Sequence, residues 1–274
     1  MRIVHTIKEL QKLVKKDLGS IGFVPTMGAL HKGHLSLMKR AKEECDTVIV
    51  SIFVNPTQFL EGEDLDNYPR REEADIKICK VAGVDILFMP DISQMYGDDE
   101  VSIVAPARGG YILEGLKRPE HFDGVLSIVM KLLHLSSASK AYFGKKDAQQ
   151  LALIEQMVRD YFIPCEIIPC EIVRDGMGLA LSSRNAYLSE DEKSRALLLS
   201  SSLKLATRLI LSGERETQKI IEQMYKLLEE GTRVEYIAIT NREFKSLEEV
   251  ELGSTIILVA SFVGETRLID NIWI

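Results

Sequence analysis

Ile21-Gly22-Phe23-Val24-Pro25-Thr26-Met27-Gly28-Ala29-Leu30-His31-Lys32-Gly33-His34 is the stretch that decides the fold. Its first four residues form an apolar run suited to a buried strand. The apolar positions that follow, Leu35, Leu37, Met38 and Ala41, have helical spacing. Between strand and helix lies a turn with two glycines and two histidines. Such a connection places both imidazoles at a helix N-terminus, where unpaired N–H groups and the positive end of the dipole make an anion site. Gly28 and Gly33 let the backbone approach a ligand closely. Histidine rings hydrogen-bond phosphate oxygens, and do so better as charge builds on them. Taken without its neighbours, the stretch is a loop with incidental histidines; the strand–turn–helix context selects a nucleotide site.

Working outward, Thr6 and Glu9 have capping-box spacing ahead of the stripe Ile7, Leu10, Val14, so a short helix starts near Ile7. Residues 47–54 are a continuous apolar run, the mark of a central parallel strand covered on both faces. A helix over 72–81 and a strand over 84–88 follow, then helix 122–135, strand 141–143, helix 149–160 and strand 163–173. Strand–helix alternation predicts an α/β fold, a doubly wound parallel sheet with right-handed crossovers and ligands at the carboxyl ends of the strands. The Gly-rich break at 174–178 suits a hinge. Beyond it, Ser189 and Glu192 cap a helix reaching about Leu211, a second runs over 217–230, and strands are expected at 234–239, 255–260 and 266–269. That makes two domains, 1–175 and a smaller α+β domain of 176–274.

Composition narrows the class. With 46% apolar and 27% charged residues over 274 positions, the chain reads as a globular protein. A net charge of −7 argues against nucleic acid as the main partner. No apolar run approaches the roughly 20 residues that span a bilayer, and the N-terminus has no signal-peptide pattern, so the cytoplasm is expected. Cys45, Cys79, Cys165 and Cys170 lack paired zinc spacing and read as buried, reduced thiols.

Three further segments carry groups for chemistry. Asn55 and Gln58, after the second long strand, present amides that donate and accept, suited to a small substrate bearing carboxylate and hydroxyl groups; a simple Asn-Pro turn is the alternative. Gly144-Lys145-Lys146-Asp147-Ala148-Gln149-Gln150 joins a close-approach glycine, cations for phosphates and an acid for ribose hydroxyls, or else is a solvated charge run. Leu181-Ser182-Ser183-Arg184-Asn185 offers hydroxyls and a guanidinium as a second phosphate grip, or else caps the next helix.

Together these segments resemble the pantoate–β-alanine ligase (pantothenate synthetase) family of the nucleotidyltransferase superfamily, which shares the H-x-G-H turn. The resemblance also takes in Tyr68-Pro69-Arg70, residues 118–125, 179–188 and 266–271, and so runs through essentially the whole chain. It implies a Rossmann-like domain holding ATP, a C-terminal lid, Mg²⁺ accompanying the ATP, and a homodimer. The implied reaction has pantoate attack the α-phosphorus of ATP, after which β-alanine displaces AMP. Carried over by position, Met27, Gly28, Ala29, Leu30, His31, Lys32, Gly33 and His34 contact ATP, with His34 the catalytic proton donor. Gly144, Lys145, Lys146, Asp147, Val173, Leu181, Ser182, Ser183 and Arg184 complete the ATP site. Gln58 meets pantoate and β-alanine, and Gln150 pantoate.

Three positions depart from the pattern. Glu120 and Met177 stand where the family usually has Gly and Asp, and Lys145 replaces a Glu. The Mg²⁺ ligands are not legible; Asp75, on the helix after Arg70, is a candidate. An adenylyltransferase for another acid, a non-catalytic nucleotide sensor and a metal module built on His31 and His34 are the competing readings. Pyrophosphate release that requires pantoate separates the first, function surviving His34→Ala would favour the second, and the absence of a third ligand disfavours the last.

Overall fold

Strands β1 (Arg2–Val4), β2 (Ile21–Thr26), β3 (Thr47–Ile52), β4 (Ile86–Phe88), β5 (Lys140–Gly144) and β6 (Glu166–Cys170) form one parallel sheet in the order β1-β4-β3-β2-β5-β6. The computed structural model describes residues 1–274. Neighbours along a strand point to opposite faces. Phe23 and Val24 on β2, and Ile49 and Val50 on β3, are all 1% exposed or less, so both faces of the sheet are covered.

The covering helices are α1 (Ile7–Val14), α2 (Lys32–Glu44), α3 (Glu72–Val81), α4 (Ile92–Met95), α5 (Glu114–Lys117), α6 (His121–Ser136) and α7 (Ala148–Asp160). Met38 and Ala41 of α2 and Cys79 of α3 share one core with Val24, Val50 and Tyr142. The chain steps from β2 to β3 and β4 in one direction, then returns to place β5 on the far side of β2. The order therefore reverses between β2 and β5, and the crevice at their carboxyl ends is where a ligand binds in such sheets. The H-x-G-H turn leaves β2 at that end, and Gly144 closes β5.

The chain makes two compact units, Met1–Lys145 with Gln149–Glu171, and Lys146–Ala148 with Ile172–Ile274. The second packs α8 (Glu190–Leu211) and α9 (Thr217–Leu228) on an antiparallel sheet of β7 (Arg233–Thr240), β8 (Ile256–Val263) and β9 (Thr266–Trp273). Its core joins Leu199 and Leu203 to Ile220, Met224, Ile257 and Val259. The fold is thus the expected α/β sheet with a smaller α+β unit.

Some boundaries move, for local reasons. Val84 does not begin β4, because its N–H returns to the Cys79 carbonyl and closes α3 with Gly83 at φ +75°. Residue 163 does not begin β6, because the Ile163 N–H goes back to Val158 at the end of α7. The break at 174–178 folds as a turn in which Asp175 Oδ1 accepts N–H bonds from Met177, Gly178 and Leu179 at 2.9, 2.8 and 2.9 Å. All four cysteines are buried free thiols.

Candidate active site

β2 ends at Thr26, whose hydroxyl donates to the Ser51 carbonyl and accepts from the Gly28 N–H. The chain then enters the left-handed region, Gly28 at φ +85° and Ala29 at +49°. This turns the N–H groups of Ala29 and Leu30 toward Asp75, whose two carboxylate oxygens accept them at 2.9 and 2.8 Å. Asp75 is 2% exposed, and burial raises its pKa, with the two backbone bonds pulling the other way. The sequence offered Asp75 for Mg²⁺. In the structure each of its oxygens accepts one backbone N–H of the turn.

α2 starts directly after the turn. His31 Nδ1 accepts the Gly33 N–H at 3.1 Å, and His34 Nδ1 accepts the His31 N–H at 3.3 Å. The two imidazoles thereby reproduce the reciprocal bonds that Thr6 and Glu9 make at α1. The rings lie 4.1 Å apart, tilted by 38°. A Cβ on Gly33 would stand 2.9 Å from the His31 ring, so only glycine admits this cap. A nitrogen that accepts a backbone N–H carries the lone pair, which leaves the proton of each neutral ring on Nε2. Both rings are therefore Nε2–H donors held at a helix N-terminus. The first turn of α2 has no acid, as is also true of α7 and α9. The positive end of the α2 dipole favours negative charge at this position.

After β3 the chain forms a short 3-10 turn, Pro56–Gln58. Gln58 Oε1 accepts from Asn55 Nδ2 at 3.1 Å, and Gln58 Nε2 lies 3.2 Å from the Met27 sulfur, so Gln58 stands beside the H-x-G-H turn. Asn55 itself does not present a free amide: it is 1% exposed, with Nδ2 also on the Gly124 carbonyl and Oδ1 bound by Thr57 and Tyr96. α6 presses against this turn, and a Cβ on Gly124 would be 2.2 Å from the Thr57 carbonyl oxygen. Behind it, His121 Nδ1 lies 2.7 Å from the Gln58 carbonyl and Nε2 3.0 Å from Arg118 Nη1. Arg118 forms a fork with Glu63 at 2.6 Å on each arm. Burial pushes the His121 pKa down to about 4. The family's usual glycine is explained at Glu120, which sits at φ +65°.

On β5, a Cβ at Gly144 would meet nothing within 4 Å, so protein packing does not demand the glycine. Lys145 pairs with Glu171. Gln149 is buried and structural, bonding the Gly109 and Ile112 carbonyls at 2.7 and 2.9 Å, while Gln150 is only half-buried.

In the second unit, the Lys146 ammonium lies 3.7 Å from Asp147, and the Lys146 carbonyl accepts from Asn271 at 2.7 Å. Val173 and Leu181 face each other across a hairpin, the Leu181 N–H on the Val173 carbonyl at 3.0 Å. Ser182 caps the 3-10 turn Ser183–Tyr187 by accepting the Arg184 N–H. Arg174 holds the nearly buried Asp270 with two bonds of 2.6 and 2.9 Å. No group of three or more His, Cys, Asp and Glu in either unit is placed to hold a metal ion.

The sequence names the groups offered for binding but not the contacts that hold them. Asp75, His121 with Arg118 and Glu63, and Arg174 with Asp270 carry no motif of their own. The residues 118–125 and 266–271 were noted for resemblance, which was the one available signal.

Residues 2–273 match the family described as pantoate-beta-alanine ligase. The pantothenate synthetases of Aliarcobacter butzleri and Campylobacter curvus are each 56% identical to this chain over 274 residues, covering all of both proteins. Among solved structures, pantothenate synthetase from Thermus thermophilus superposes with a TM-score of 0.95 at 38% identity, over 99% of each chain. The pantoate-beta-alanine ligase of Francisella tularensis, complexed with beta-gamma ATP and beta-alanine, gives 0.82 at 37% identity, covering 100% of this chain and 97% of that one.

Proposed function

The chain belongs to the pantoate-beta-alanine ligase family, and on that premise we propose that it uses ATP to condense pantoate with β-alanine into pantothenate. The observation that carries the reading is the histidine pair: two Nε2–H donors fixed at an acid-free helix N-terminus, beside a tethered glutamine.

The chemistry divides into two steps. Pantoate's carboxylate oxygen attacks the α-phosphorus of ATP, the bond to the β-phosphate oxygen breaks, and pyrophosphate leaves. The β-alanine amine then attacks the acyl carbon of the mixed anhydride, loses a proton and expels AMP. Charge accumulates on the α-phosphoryl oxygens and on pyrophosphate in the first step, and stabilising it is the main task of the protein. His31 and His34 serve it with Nε2–H, His34 as the proton donor.

Met27, Gly28, Ala29, Leu30, Lys32 and Gly33 complete the turn that receives ATP. Gly144 and Lys145, and on the second unit Lys146, Asp147, Val173, Leu181, Ser182, Ser183 and Arg184, are assigned to the nucleotide as well. Gln58 takes pantoate and β-alanine, and Gln150 pantoate. Gln58 is uncharged, which leaves the attacking carboxylate more nucleophilic than an ion pair would. Mg²⁺ is taken to arrive with ATP, whose phosphates supply most of its coordination. We assign the working form as a homodimer in the cytoplasm; no helix is long and apolar enough to cross a membrane.

Purified protein mixed with ATP, Mg²⁺, pantoate and β-alanine, each omitted in turn, tests this. Pyrophosphate should appear with pantoate alone and AMP only with both acids. Pyrophosphate release that ignores pantoate sinks the reading.

A further inference from the structure

The carbonyl that ends the Pro56–Gln58 turn is held from outside the turn. His121 Nδ1 stands 2.7 Å from it and Arg118 Nη2 3.2 Å. The tautomer follows from the partners. A guanidinium can only donate, so Arg118 Nη1, 3.0 Å from His121 Nε2, makes Nε2 the acceptor and leaves the proton on Nδ1. His121 therefore donates to Gln58. Arg118 is fixed in turn by the fork to Glu63, and Glu63 accepts the Leu60 N–H at 3.1 Å, just beyond the same turn. His121 is buried, at 7% exposed.

Resting on the ligase reading of Gln58, we propose that His121 is a positioning residue for substrate: it anchors the Gln58 main chain so that the Gln58 amide meets pantoate and β-alanine at a fixed point. Asn55 holds the same glutamine by its side-chain oxygen, so main chain and amide are gripped separately. Burial keeps the imidazole neutral at ordinary pH, and the anchor adds no charge beside an amide that must leave a carboxylate nucleophilic.

The test uses two variants that differ in where they put an amide. His121→Asn places N–H near the Nδ1 position and retains the bond, whereas His121→Gln places it near Nε2 and does not. Steady-state kinetics should show the pantoate KM rising about tenfold in His121→Gln, with the ATP KM within about twofold of wild type, and the pantoate KM restored to within about threefold in His121→Asn. An unchanged pantoate KM in His121→Gln overturns the proposal, and so does an equal fall in all parameters for both variants. Should either variant fail to fold, ¹⁵N-histidine spectra of the wild-type protein decide. A ring protonated at Nδ1 whose signal moves with pantoate alone supports the anchor; a ring protonated at Nε2 overturns it. Failure of the ligase reading is separate and visible first, as wild-type protein that releases no pyrophosphate with pantoate.

Discussion

Two turns in this molecule are each tied by a single aspartate, and they differ in where the aspartate comes from. In the second unit, Asp175 gathers the N–H groups of Met177, Gly178 and Leu179, two to four residues ahead of it. In the first unit, the turn after β2 gives the N–H groups of Ala29 and Leu30 to Asp75, which lies 46 and 45 residues further on. The Asp175 turn is written in its own segment and forms wherever that segment is. The Asp75 turn exists only once α3 has docked beside β2. The turn that leads into the histidines is therefore a property of the assembled sheet, whereas the bonds that cap the two rings lie within the H-x-G-H segment.

Asp75→Ala breaks the comparison hardest. It leaves two N–H groups unpaired in the interior, with an expected loss of about 3 kcal/mol in chemical denaturation. Displacing the histidines by about 1 Å costs on the order of a hundredfold in kcat. A variant that keeps wild-type pyrophosphate release would mean the turn holds its shape unaided.

Gly33→Ala separates shape from stability in the same turn. Alanine is the better helix former by about 1 kcal/mol, so thermal stability should move little. The added methyl would lie 2.9 Å from the His31 ring and push it off its cap. Activity should fall tenfold or more while the melting temperature stays within a few degrees. Equal loss of both would show that the cap serves stability and not chemistry.

These contrasts explain which parts of the molecule were legible in its sequence. The strands at β2 and β3 declared themselves because residues buried on both faces are apolar without interruption. The helix starts at Ile7 and Glu190 were legible because Thr6 with Glu9 and Ser189 with Glu192 cap within four residues. Gln58 and the histidine turn stood out as polar groups at strand ends. The anchoring roles of Asp75 and His121 did not, because the backbone groups they hold lie 45 or more residues away, and no local pattern encodes a bond to a distant carbonyl or N–H. Asn55 misled for the same reason: its amide was equally free on paper, and only packing against Gly124 and Tyr96 removes it from solvent. The glycine break at 174–178 is legible in the sequence, but the three N–H bonds to Asp175 depend on a carboxylate orientation that composition does not reveal.

Asp175→Ala is the milder counterpart. The aspartate is exposed, water can replace part of what it supplies, and the hairpin keeps the Leu181 to Val173 bond. A loss of about 1 kcal/mol is expected, read by thermal or urea unfolding. A loss equal to that of Asp75→Ala would erase the distinction between local and distant anchoring.

Glu120 supplies the smallest and sharpest case, because it takes the same backbone conformation as Ala29 with no aspartate behind it. Both residues sit at positive φ, +65° and +49°, and the Glu120 side chain makes no capping bond to α6. A left-handed residue with a Cβ is strained by roughly 1–2 kcal/mol. Glycine removes that strain but loses more chain entropy on folding and gives up a favourable charge at the helix start, each on the order of 0.5 kcal/mol. Glu120→Gly should therefore stabilise the protein by about 0.5 kcal/mol, seen as a melting-temperature rise of about one degree. Its neighbour His121 keeps the Gln58 carbonyl in either variant, so the pantoate KM should not change. A Glu120→Gly protein that melts lower would show that the carboxylate contributes more at the N-terminus of α6 than its backbone strain takes away.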